Sequence, residues 1–282
     1  MSILFPTDFS EQSTRAFGYA LEFAKKMNST ITLLHVYRLP VSYTGYDDPR
    51  TSGISEEVIT ATEHATEERL KLFKEELMNK YMSHHPEMVR VLGMLRMGFP
   101  GEETIRVAEE ISASHIVMHV EHKKKINRVL FGSTTVHVMK KSKAPVITIP
   151  ENYEFHEIKK IAYATDLTFS DNEIISRLLA LAELFDAEVK CFHVHDSNLK
   201  VEGSIIDDFI EQYKSEANKR RITFQLIDNL SVLDGIEYFV KENQIDLLAI
   251  MKQKHYWLDF ADKDISKQLA FHADVPLLVY HE

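Results

Sequence analysis

The feature that most constrains this chain is that it repeats itself. ILFPTDFS near the start returns as IAYATDLTFS, so that Thr7-Asp8 falls on Thr165-Asp166 at an offset of 158 residues. His35-Val36 falls on His193-Val194 at that same offset, with no gap between the two anchors. Further on, HIVM at 115–118 resembles LAIM at 248–251, and KAPVITI at 143–149 resembles ADVPLLV at 273–279. Self-similarity on this scale means one folding unit used twice. We therefore expect a domain over 1–150 and a second over 157–282, joined by the polar segment 151–157. The second copy is shorter by about one helix, lost between its second and third strands.

Each copy alternates short apolar runs with amphipathic ones. In the first, residues 3–6, 30–37, 89–97, 115–120 and 146–149 read as strands. Ser10 suits the cap of a helix with Phe17, Ala20, Leu21 and Ala24 on one face. A long helix spans about 55–82, with Val58, Ala61, Leu70, Phe73 and Leu77 as its inward residues. Pro100 fits the first turn of the next helix, and residues 133–141 form the last. The second copy follows the same order, with a helix from Gly203 and a capping box from Ser170 to Glu173. Strands separated by helices give right-handed crossovers and a mainly parallel sheet, an α/β fold with helices on both faces.

Composition narrows the function. Hydrophobic residues make up 44% of the chain and charged residues 27%, enough for a globular core. A net charge of −10 disfavours nucleic acid as a partner, because a phosphate backbone rewards clustered Lys and Arg. Lys123, Lys124, Lys125 and Arg128 form a local exception. The single cysteine, Cys191, lies in an apolar run, has no internal partner and reads as a core residue in a reducing cytoplasm. No signal peptide and no run long enough to cross a membrane is visible, so no membrane partner is expected. Nor is there a nucleophile elbow, a Walker A run or an HExxH pair, and no enzymatic activity is expected.

The short strand ending in Thr-Asp, the strand LLHVY, and the strand–loop–Gly-Ser–helix running into APVITI resemble the universal stress protein family. The order and spacing of these motifs recur in both halves, so the chain looks like a tandem member. The resemblance implies adenine nucleotide alpha hydrolase-like domains with five strands in flavodoxin-like order. It implies pairing of the last strands of the two halves as an internal pseudo-dimer, with a homodimer as a further arrangement. It also implies that any ATP sits at the carboxyl ends of the strands. Nucleotide-binding members carry G-x2-G-x9-G-[ST] after the fourth strand and use the aspartate after the first. Carried over, the candidate cofactor-binding positions are Pro6, Asp8, Val36, His119, His122, Gly132, Ser133 and Thr134.

Two of the three glycines are histidines here, His119 and His122. A histidine adds a side chain where the backbone would approach phosphate. Gly132-Ser133 still offers free amides at a helix start, which suits an anion. The same residues equally suit a turn, with Ser133 as an N-cap and the lysines as a solvated face. In the second half Lys252 and His255 take the glycine positions, and Lys263-Asp264 replace Gly-Ser, so that loop is expected to be degenerate. Asp8 and Asp166 suit either a ligand hydrogen bond or an Asx-type cap of the following helix. His115, His119 and His122 together offer imidazoles for zinc, without any cysteine. His84-His85 reads as an exposed loop, and His35 and His193 as core or interface residues. The functions expected are a non-catalytic stress-response module that binds ATP weakly through the first half, a ligand-free scaffold for an unknown protein partner, or a histidine-based zinc protein. An ATP-hydrolysing switch fits the altered loop least.

Overall fold

The computed structural model describes residues 1–39, 55–82, 89–120, 132–151, 153–165, 167, 171–195, 203–218, 221–228, 231–252 and 275–281. The first half runs β1 (Ser2–Pro6), α1 (Glu11–Lys26), β2 (Thr30–Tyr37), α2 (Glu56–Tyr81), β3 (Val91–Met97), α3 (Pro100–Glu110), β4 (His115–His119), α4 (Ser133–Lys141) and β5 (Val146–Ile149). The second runs β6 (Lys160–Ala164), α5 (Asp171–Phe185), β7 (Glu188–His195), α6 (Gly203–Gln212), α7 (Lys214–Asn218), β8 (Ile222–Asp228), α8 (Val232–Asn243), β9 (Leu247–Lys252) and β10 (Leu277–His281). The long α2 of the first half is thus replaced by the short α6 and α7.

The ten strands of the described residues form one sheet in the order β3-β2-β1-β4-β5-β10-β9-β6-β7-β8. Every pairing is parallel except β5 with β10, where Ile147 sits opposite Leu278. The doubly wound α/β architecture expected from the alternation is present. Its order within each half is 3-2-1-4-5, the order of a Rossmann-type sheet rather than the 2-1-3-4-5 of flavodoxin. In both arrangements ligands enter at the carboxyl ends of the strands, where the order reverses. Here that point lies between β1 and β4.

The strand residues alternate between two cores. Ile3, Phe5, Ile31 and Leu33 pack with α1, α2 and α5 on one face, and Leu4, Leu34, Ile116 and Met118 with α3, α4 and α8 on the other. Burial on both faces explains why the strands read as continuous apolar runs. The repeat is also written in the backbone. Phe9 (φ 65°) and Leu167 (φ 61°) are equivalent positions with positive φ, as are Asn28 (φ 46°) and Asp186 (φ 53°).

Several expectations are corrected. Val58 and Ala61 are exposed, because only the second half of α2, from Leu70 through Phe73 to Leu77, reaches the sheet. The third strand starts at Val91 rather than at residue 89. Gly132, not Ser133, is the N-cap of α4. The segment joining the halves is not simply polar. Tyr153 is buried, its ring packs 6.0 Å from Tyr19, and its hydroxyl donates to the Asp246 carbonyl. Ser170, His84 and His85 lie outside the described residues. Cys191 is fully buried, and burial, with the Asp171 carboxylate nearby, pushes its thiol far above the usual range.

Candidate functional site

The site is built on the turn that follows β1. The Thr7 amide continues the β1–β2 ladder by donating to the Leu34 carbonyl, 2.8 Å. Its hydroxyl oxygen then accepts from the Phe9 amide at 3.0 Å and from the Ser13 hydroxyl at 2.8 Å. These bonds hold the bulky Phe9 at positive φ, a conformation that surrounding contacts must over-determine. The Phe9 ring stacks on His35 at 4.0 Å and carries the Arg69 guanidinium at 4.7 Å on a ring face. His35 Nδ1–H donates to the Thr7 carbonyl at 2.8 Å. Burial holds the His35 imidazole below its ordinary pKa, and that favours the neutral ring.

So fixed, the turn presents Asp8. One carboxylate oxygen accepts from the Ser10 amide at 3.0 Å, the Asx cap, while Ser10 itself caps α1 through the Ser13 amide. The other oxygen lies 3.5 Å from His119 Nε2 at the end of β4. Burial pushes the Asp8 carboxyl up, but the hydrogen bonds from His119 and Ser10 outweigh it and leave the group well below the usual carboxylate range. Asp8 is therefore both a cap and a half-exposed charge on the wall of the cavity. The Nδ1 of His119 is buried without a hydrogen-bond partner among the described residues.

Across from Asp8 the first turn of α4 opens on Gly132, which supplies no side-chain cap. The amides of that turn carry the positive end of the helix dipole. Between the two walls is a cavity of about 210 Å³. Pro6, Asp8, Val36, His119, Gly132, Ser133 and Thr134 all line it, so seven of the eight residues nominated from the sequence converge on one space. The eighth, His122, lies outside the described residues, as do Lys123, Lys124, Lys125 and Arg128. His35, Thr104 and Thr135 line it too and were not foreseen as site residues. His35 could have been found from its position at the end of the second strand. Thr104 sits on α3 with its hydroxyl on the Pro100 carbonyl, and no sequence signal marks it.

The second half repeats the turn but not its surroundings. His193 Nδ1–H donates to the Thr165 carbonyl at 2.7 Å, and the Thr165 hydroxyl oxygen accepts from the Leu167 amide at 2.9 Å. The half-buried His35 and His193 thus have one structural role in common. At the position of Ser13 stands Asp171, fully buried, accepting from Thr165 at 2.7 Å and from the Tyr163 hydroxyl. Sequence reasoning missed this carboxylate. Asp166, His255, Lys263 and Asp264, and the side chain of Lys252, lie outside the described residues. His115 and His119 do share one side of β4. His115 packs edge-on against Phe23 at 5.2 Å, while His119 faces Asp8. Among the described residues no three His, Cys, Asp or Glu side chains gather as for a metal, and no helix is long and apolar enough to cross a membrane.

Fold and cavity together define a doubly wound α/β protein with a small cleft at the switch point of its first half. The model of the universal stress protein family matches residues 1–150, just over half of the chain, and the chain belongs to that family. The universal stress protein MJ0577 of Methanocaldococcus jannaschii is 29% identical over 151 residues, covering 52% of this chain and 93% of that protein. The stress response protein NhaX of Bacillus subtilis is 24% identical over 162 residues, covering 52% of this chain and 96% of that one. A solved universal stress protein from Archaeoglobus fulgidus DSM 4304 superposes over 100% of this chain and 96% of its own, with a TM-score of 0.72 and 18% identity. That likeness extends the fold across the second half.

Proposed function

We propose that this chain is a tandem, non-catalytic stress-response module of the cytoplasm, made of two domains (1–150 and 157–282), which binds ATP weakly through the first. The observation that carries the reading is the convergence of seven nominated residues on one cavity. In it, the Asp8 carboxylate suits a ribose or base donor, and the first turn of α4, to which Gly132 brings no side-chain cap, suits a phosphate. The residues fit the nucleoside end better than the polyphosphate end, because the His119 side chain takes the place of a backbone-only approach. A ligand-free scaffold is the second reading. It is favoured by the Asp8–His119 contact, which occupies the carboxylate, and by a volume below the roughly 300–1,000 Å³ of most ligand pockets.

Calorimetric titration with ATP and Mg²⁺ separates the two. The first reading expects a dissociation constant on the order of 100 µM, or about −5.5 kcal/mol. Asp8→Ala should weaken it at least about tenfold, a loss of about 1.4 kcal/mol. No heat and no thermal shift at millimolar ATP removes the nucleotide and leaves the scaffold.

A further inference from the structure

The sheet ends on β3 and β8. The strand a lone half would leave open, β5, is already covered by β10. On the outer side of β3 no strand pairs among the described residues. The phase of its ladder is set at both ends: the Ile31 amide donates to the Arg90 carbonyl, and the Gly98 amide to the Tyr37 carbonyl. In a parallel ladder of that phase, the backbone groups of Leu92, Met94 and Arg96 turn toward β2. Those of Val91, Gly93, Leu95 and Met97 turn outward. Exposed edges are commonly blunted by proline, free charge or a bulge. The strand VLGMLRM has no proline, and its one charge, Arg96, is held by Glu110 at 2.8 Å. Leu92 is 40% and Met97 53% exposed.

Beside this edge runs a groove of about 590 Å³ between α2 and β3. Gly93 and Leu95 line its strand side, and Glu67, Glu68, Leu70, Lys71 and Lys74 its helix side. Arg69, Glu75 and Glu76 interrupt any sorting of charge along α2 as a whole, but the charges that line the groove are sorted, Glu67 and Glu68 before Leu70 and Lys71 and Lys74 after it. A two-fold axis near Leu70 therefore sets Glu67 and Glu68 of one copy opposite Lys71 and Lys74 of another. Reversing β3 about Met94 sets Gly93 opposite Leu95 and Val91 opposite Met97. All four turn their backbone groups outward, as an antiparallel ladder requires. A Cβ on Gly93 would meet only the Leu70 side chain, at an ordinary 3.6 Å. Internal packing does not require glycine there, and the bare backbone leaves room for a facing leucine.

We propose that β3 pairs antiparallel with β3 of a second copy of this chain, α2 alongside α2, so that two ten-stranded sheets join into one across an isologous two-fold interface. Sedimentation of the full chain at up to about 200 µM tests it, with twice the 32.6 kDa chain mass expected. Gly93→Pro removes an outward amide without touching the β2 ladder, and Lys71→Glu with Lys74→Glu sets acid against acid. Each should weaken the dimer at least about tenfold. Adding Glu67→Lys and Glu68→Lys to the second variant should restore it, and this quartet decides the matter if the proline variant misfolds. A wild-type monomer at the highest concentration overturns the proposal. So does a dimer that survives the charge variant, or one broken only by Leu226→Lys on β8.

Discussion

At the scale of single residues, the two halves differ most where they should be most alike. Ser13 and Asp171 occupy one position of the repeat, each bonded to the threonine of the turn. Ser13 makes a neutral hydroxyl–hydroxyl bond, whereas Asp171 accepts from both Thr165 and Tyr163 in a fully buried setting. Removing a buried acceptor strands its donors, at about 1–3 kcal/mol each. Asp171→Ala, which removes the acceptor of two donors, should therefore lower unfolding free energy by about 2–6 kcal/mol. Ser13→Ala, which removes one neutral bond, should cost only about 1 kcal/mol. Urea denaturation of both variants measures the difference, and equal losses would show that the buried carboxylate contributes nothing special. The first-half site was legible because its residues fall at strand ends and helix starts, which the spacing exposes. Asp171 was not, because a carboxylate in the first turn of a helix is indistinguishable in sequence from an ordinary solvated N-terminal acid.

At the scale of elements, alternation and apolar runs were enough to place the strands, and a cap such as Ser10 marked a helix start. Helix ends were less legible. α1, α3, α5 and α8 are each followed by a residue with positive φ: Asn28, Ser112, Asp186 and Gln244. None is the glycine that usually announces such an end. Asn and Asp tolerate this conformation through local hydrogen bonds, but Gln244 has no such help and is exposed. Its amide donates to Val240 and Lys241 carbonyls, so the backbone geometry itself closes the helix. Gln244→Gly removes the left-handed penalty at a smaller entropic cost and should stabilise the protein by about 0.5–1 kcal/mol. A rise in the denaturant midpoint measures this, and a fall would mean the side chain makes a stabilising contact. The exposed start of α2 was misread for another reason. Its 3.6 period persists beyond the part of the helix that packs on the sheet, the buried residues of α2 being Leu70, Phe73 and Leu77 among the described residues.

At the scale of the molecule, the halves are joined by more than a linker. β5 and β10 pair, and one core runs through both, with Phe23 of α1 packing 5.4 Å from Phe185 of α5. His115 lies at this junction, edge-on to the same Phe23 ring. Burial, with the Arg177 charge of α5 adding to it, pulls its imidazole down from 6.5 to about 4. The unfolded chain thus binds a proton that the folded chain refuses between those values. Stability from this group is fully present above about pH 6.5 and is lost as the pH falls toward 4, to a total of about 3 kcal/mol. Because the loss falls on a shared core, the two halves should fail together. Urea unfolding at pH 7 and at pH 4.5, followed by hydrogen exchange in β2 and in β7, should show coincident transitions that shift together. His115→Phe should flatten the pH dependence in both. Two separate transitions, or a shift confined to the first half, would mean that the halves fold as independent bodies and that the junction couples nothing.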